Sequence, residues 1–231
     1  SFTFRYTERG HQLVRVIEVD AKTAQPKALL TERSQSFIDQ WGAFYQTLSG
    51  PEKGFVWLSE RDGWAHLYRY DNKGQLINQI PQGNWRVRDV LHLDEKAQQL
   101  WFAASGMEPE QDPYFIHYYR INFDGTGLTA LTTANATHQV SFSADRQYYI
   151  DLYSRVDLPN VAELRRSSDG QLIRTLAKAD ISRLTQAGFK APEVFVAKGR
   201  DGKTDIWGLI VKPQQFKPDQ HYPVIENIYA G

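Results

Sequence analysis

The stretch His66–Gln82, "HLYRYDNKGQLINQIPQ", decides the fold. It reads as a strand, a turn led by Asp71, and a second strand. Asp, Asn and Gly suit such turns because they tolerate positive φ and bond their own backbone. The same unit recurs as "LVRVIEVDAKTAQPKALLT" from Leu13, "IHYYRINFDGTGLTALTT" from Ile116 and "VAELRRSSDGQLIRTLA" from Val161. The turn aspartates Asp20, Asp71, Asp124 and Asp169 are spaced by 51, 53 and 45 residues.

Working outward, each later hairpin is preceded by two more strand-like segments. These are "AFYQTL" and "GFVWLSE", then "WRVRDVLHL" and "QLWFAAS", then "HQVSFS" and "QYYIDLYS". Four antiparallel strands every ~45–50 residues is the period of a β-propeller blade. Ser1 enters with a blade already under way, so three full units and a partial first one are expected. A β-sandwich with long loops is the alternative.

The rhythm breaks after Ala177. In "AKADISRLTQAGF", Ile181, Leu184 and Ala187 have a helical spacing that predicts a short linker helix. Then follow "EVFVAKG", the hairpin turn "RDGK" (200–203), "DIWGLIVKP" and "YPVIENIYAG". Val224, Ile225 and Ile228 read as a buried strand. The division expected is residues 1–183 in one domain and 184–231 as the start of a second, truncated one.

Composition narrows the function classes. Lys plus Arg and Asp plus Glu are 27 each, so no net field recruits nucleic acid. There is no cysteine, which excludes disulfides, thiolate nucleophiles and cysteine-based metal sites. No apolar run approaches the ~18 residues of a membrane span. The opening "SFTFRYTERG" is a strand-like alternation and not a signal peptide. The histidines show no H-x-x-x-H or H-x-H pairing, so no metal is expected, and no cofactor.

"FVWLSERDGWAHLYRYDNKG", "NWRVRDVLHLDE", "HQVSFSADRQYYIDLYSRVDLPNV" and "WGLIVKPQQFKPDQHYPVIENIYAG" resemble the dipeptidyl peptidase IV branch of the prolyl oligopeptidase family, particularly its bacterial members. The resemblance runs over nearly the whole chain, in order. It implies an eight-bladed propeller capping an α/β-hydrolase domain, in a serine exopeptidase that removes dipeptides, or sometimes tripeptides, typically after proline. This chain would span the later blades and the first hydrolase strands, in a mainly β fold. The partner implied is a peptide substrate. The resemblance is compatible with a homodimer and favours a periplasmic or secreted setting without excluding the cytoplasm. The competing readings are a non-enzymatic propeller scaffold and an acylaminoacyl or oligopeptidase relative.

A serine hydrolase needs a nucleophile on a sharp turn, commonly G-x-S-x-G. None occurs; Ser49-Gly50 and Ser105-Gly106 lack the preceding glycine. By resemblance the Ser/Asp/His triad lies beyond Gly231, so this portion alone is expected to be inactive. The same resemblance makes Tyr229 an oxyanion-hole donor; without it, Tyr229 reads as a strand-end ring in the core. Family members grip the substrate amino terminus with paired glutamates, and no Glu-Glu pair occurs here. Asp62, Gly63, Trp64 and His66 look like a site but are explained by a turn with a packed ring and imidazole. Glu108, Glu110 and Asp112 read as a solvated acidic loop, or as lining of a substrate tunnel.

Overall fold

A computed structural model describes residues 1–40, 42–50 and 53–228. Seventeen strands and one short helix are present among them. Strands β1 (Phe2–Thr7), β2 (Leu13–Val19) and β3 (Pro26–Arg33) form a three-stranded antiparallel sheet. Strands β4 (Tyr45–Leu48), β5 (Gly54–Ser59), β6 (His66–Asp71) and β7 (Leu76–Gln79) form a four-stranded second sheet, in chain order. The third contains β8 (Arg86–Asp94), β9 (Gln99–Ser105), β10 (Ile116–Asn122) and β11 (Thr129–Ala130). The fourth contains β12 (Thr137–Phe142), β13 (Tyr148–Arg155), β14 (Leu158–Arg166) and β15 (Leu172–Lys178). Consecutive strands thus build each sheet, one partial and three complete, unlike the two facing sheets of a sandwich.

The turn chemistry explains the hairpins. Asp71 Oδ1 accepts from the amides of Lys73 and Gln75, both at 2.8 Å. Asp20, Asp124 and Asp169 accept in the same way from Lys22, Thr126 and Gln171. Local donors hold all four carboxyls below the usual carboxylate range: the Thr23 amide is the largest cause for Asp20, the Gln75 amide for Asp71 and the Thr126 hydroxyl for Asp124, while for Asp169, whose value falls to about 2, it is the Arg166 guanidinium.

Alternation along the strands divides the side chains between successive cores. From β5, Phe55 and Trp57 pack with Val14, Val16, Leu29 and Leu30 of the first sheet, while Val56 packs toward the third. From β9, Leu100, Phe102 and Ala104 join the core with the second sheet, and Trp101 joins Leu131 and Tyr149 on the other side. Strands covered on both faces therefore lack an exposed register: β9 is buried at every position but the first. Each fully buried Val, Leu or Phe contributes about 1.5–3 kcal/mol. At the end of this array β13 alternates instead, with Tyr149 and Asp151 buried and Tyr148, Ile150 and Leu152 exposed. Phe2, Phe4 and Tyr6 of β1 are exposed at the other end.

The chain divides into two compact units: residues 1–154 with 161–177, and residues 155–160 with 178–231. In the second, α1 (Ser182–Gln186) is a five-residue helix with no buried side chain. The hairpin of β16 (Glu193–Lys198) and β17 (Asp205–Ile210) pairs Val194 with Leu209 and Val196 with Trp207. The expected strand around Val224, Ile225 and Ile228 is not formed: residues 221–228 pair with no strand, and those three side chains are almost fully exposed. A strand needs a ladder neighbour for its amides, and none is supplied among the described residues.

Candidate functional site

The stretch Asp62–His66 spans the turn between β5 and β6. Asp62 accepts from the Trp64 amide at 3.1 Å, from His66 Nδ1 at 2.8 Å and from Gln79 Nε2 at 2.6 Å. Burial pushes the Asp62 carboxyl up, but these bonds outweigh it and hold the group below its ordinary value. His66 is fully buried, its ring edge-on to Trp85 at 5.0 Å. An imidazole sealed in this way cannot reach a substrate; it ties the turn to β7.

The acidic loop is less solvated than its composition suggests. Glu108 accepts from the Tyr119 hydroxyl at 3.0 Å, and burial followed by that carboxylate raises the phenol well above its ordinary range. Asp112 accepts from the Tyr114 amide, and Gln111 Oε1 meets His117 Nε2 at 2.9 Å. Only Glu110 of the three acidic side chains is exposed. The other two are half-buried and take part in the loop's own hydrogen bonds.

The structure also assembles a cluster that no sequence spacing announces. His138 on β12 is held at both ring nitrogens: Nδ1 lies 2.8 Å from Asp151 Oδ1, and Nε2 lies 2.9 Å from the Ala134 carbonyl oxygen. Asp151 on β13 and the His138 side chain are fully buried. Arg165 Nε lies 3.4 Å from Asp151 Oδ2, and Arg165 Nη2 donates to Glu163 Oε2 at 2.7 Å. The Tyr153 hydroxyl reaches Glu163 Oε1 at 3.3 Å. Two carboxylates thus face a guanidinium and an imidazole within one cluster. The His117 ring stands 4.9 Å from that of His138; burial first, and the His138 charge second, hold His117 below its ordinary value.

A His–Asp pair can serve as a general base, but only with a ring nitrogen free to take a proton. Both nitrogens of His138 are committed. The cluster is a clamp joining β12, β13 and β14, and its signal in sequence is no more than a His, an Asp and a Glu on successive strands.

The serines are equally accounted for. Ser49 donates its amide to Glu95 Oε2 at 2.7 Å and its hydroxyl to the same carboxylate. The Ser105 hydroxyl is buried without a partner among the described residues. Neither is hydrogen-bonded to a histidine. No group of three His, Asp or Glu side chains capable of holding a metal occurs among the described residues. No helix among them is long and apolar enough to cross a membrane. Tyr229 lies outside the described residues.

The family model "Dipeptidyl peptidase IV (DPP IV) N-terminal region" matches residues 1–160. Dipeptidyl peptidase 4 of Trichophyton rubrum is 26% identical over 245 residues, covering 100% of this chain and 30% of that protein. Dipeptidyl peptidase 4 of Arthroderma otae is 23% identical over 240 residues with the same coverage. The crystal structure of Porphyromonas gingivalis dipeptidyl peptidase 4 superposes with a TM-score of 0.76 at 27% identity, over 96% of this chain and 31% of that one. A putative dipeptidyl aminopeptidase IV from Bacteroides ovatus, at 22% identity and a TM-score of 0.77, shares the fold over 96% of this chain and 33% of its own. The chain spans about 30% of the length of the curated relatives it matches.

Proposed function

This chain belongs to the dipeptidyl peptidase IV family, and on that footing we propose that it forms part of a serine exopeptidase releasing N-terminal dipeptides, typically after proline. In this reading residues 1–183 are later blades of an eight-bladed propeller, and residues 184–231 begin an α/β-hydrolase domain. The observation that carries it is the succession of four-stranded sheets within the segment that matches the family. The apolar outer faces at Tyr148, Ile150 and Leu152 and at Phe2, Phe4 and Tyr6 support it, since further blades would cover both.

The propeller's contribution is exclusion. A ring of blades around the reacting bond admits short or unfolded peptides and keeps bulk water from the chemistry. Tyr229 supplies a preorganised hydroxyl to the developing oxyanion, a role whose strength comes from donors fixed before charge appears.

The direct test is cleavage of Gly-Pro and Ala-Pro chromogenic substrates by the full-length protein. Release of the chromophore only after a free N-terminal dipeptide supports the reading. Cleavage of blocked or internal sequences, or none at all, overturns it.

A further inference from the structure

The loop between β9 and β10, residues 106–115, rests on a histidine with almost no access to water. His117, the second residue of β10, is 3% exposed. Its Nε2 lies 2.9 Å from Gln111 Oε1 in the loop, and its Nδ1 lies 3.4 Å from Thr132 Oγ1. The Thr132 hydroxyl accepts the Tyr118 amide at 2.9 Å, and its own proton turns toward Nδ1. Nε2 then carries the single proton of a neutral ring, and Gln111 Oε1 accepts it. A second tie runs from the Tyr119 hydroxyl to Glu108 Oε1 at 3.0 Å. Met107 packs on the core at the start of the loop, whereas Pro109, Glu110, Pro113 and Tyr114 are exposed.

This arrangement suits a neutral ring. A proton added at Nδ1 meets the Thr132 hydroxyl proton, and the new charge stands beside the His138 ring, 4.9 Å away. Glu108 in the loop and Asp151 on β13 attract that charge, but burial first and His138 second outweigh them. Asp151 is already engaged by His138 and Arg165. A buried imidazolium calls for water, and the packing decides where water enters. Thr132, His138 and Asp151 are buried, while Gln111 and Glu108 are half-buried. Water reaches the ring by lifting the loop.

We propose that His117 is an acid-released latch: neutral, it holds the 106–115 loop closed through Gln111, and on taking up a second proton it lets the loop open. The surface that changes is the one carrying Glu110 and Tyr114, the latter 72% exposed. The latch does not depend on the peptidase reading.

Amide hydrogen exchange of the full-length protein at about pH 7.5 and about pH 5.5, corrected for the pH dependence of chemical exchange, tests the proposal. One pH unit below the 6.5 of a free imidazole, protonation favours the open form by up to about tenfold. Exchange of amides in 106–115 should therefore rise by about three- to tenfold on acidification, with β2, β3 and β5 unchanged. His117→Gln, neutral at both values, should abolish the rise. Gln111→Ala, which keeps the ring and removes its tie, should speed loop exchange already at about pH 7.5. A histidine with a merely structural role predicts instead that the rise survives in His117→Gln. That result, a parent rise below about twofold, an equal rise in β2, β3 and β5, or unchanged loop exchange in Gln111→Ala overturns the latch.

Discussion

Gly74 stands so close to Leu29 that a Cβ on the glycine would lie 1.9 Å from the Leu29 carbonyl oxygen. The contact repeats along the chain. A Cβ on Gly125 would meet the Ile80 carbonyl at 2.7 Å, and one on Gly170 the Ala130 carbonyl at 2.9 Å. In each case the glycine of an Asp-led turn tucks against the end of the preceding sheet. The residue that makes the hairpin also sets the distance between sheets.

Gly74→Ala is therefore expected to cost about 2–4 kcal/mol, combining left-handed backbone strain with displacement of a backbone carbonyl. Gly63→Ala is the control, since Gly63 has φ 92° but no atom within 4 Å of its added Cβ. It should cost only about 1 kcal/mol. Urea unfolding of both variants decides this; equal losses would show that the approach to Leu29 contributes nothing.

Asp151→Ala should destabilise the protein by about 1–3 kcal/mol, because it leaves the buried His138 Nδ1 without its partner while Arg165 keeps its pair with Glu163. Lys198→Ala, which breaks an exposed pair with Asp205, should change stability by less than about 1 kcal/mol. Denaturant midpoints with unchanged slopes are the readout.

His117 predicts an acid-side slope. Its folded value lies below the 6.5 of a free imidazole, so the unfolded chain binds its proton first as pH falls. The associated stability is intact above about 6.5 and is lost as pH falls from there toward the lower folded value. His117→Gln should flatten the dependence of melting temperature on pH in that window. An unaltered slope would place the titration elsewhere.

Asp169 behaves as an ordinary depressed carboxylate, with a folded value of about 2 against 3.8. Its contribution is present above about 4 and is lost as pH falls through 2. Asp169→Asn should remove that acid-side loss.

If the proposed oxyanion role holds, Tyr229→Phe in the full-length protein should lower kcat on a Pro dipeptide substrate about 10²-fold, with KM little changed and the fold intact. Steady-state kinetics on Ala-Pro chromogenic substrates read this out. Unchanged kcat would return Tyr229 to a packing role.

What could be read in the residues alone is local. The Asp-led turns, the flanking strands and their recurrence depend on contacts within a few residues, so "HLYRYDNKGQLINQIPQ" already specifies a hairpin and its repetition a stack of sheets. The Asp62–His66 turn was legible for the same reason. The strand expected at Val224–Ile228 was not formed, because apolar residues favour a strand only where a neighbour completes the ladder.

Only the tertiary structure decided which polar groups meet. His138, Asp151 and Arg165 lie on three successive strands. Hydrophobic periodicity assigns a face to each strand but carries no information about which buried donor lacks an acceptor; that depends on the packing of one sheet on the next. The repeat thus set the architecture, while the clamp arose where packing between strands brought charged groups together away from water.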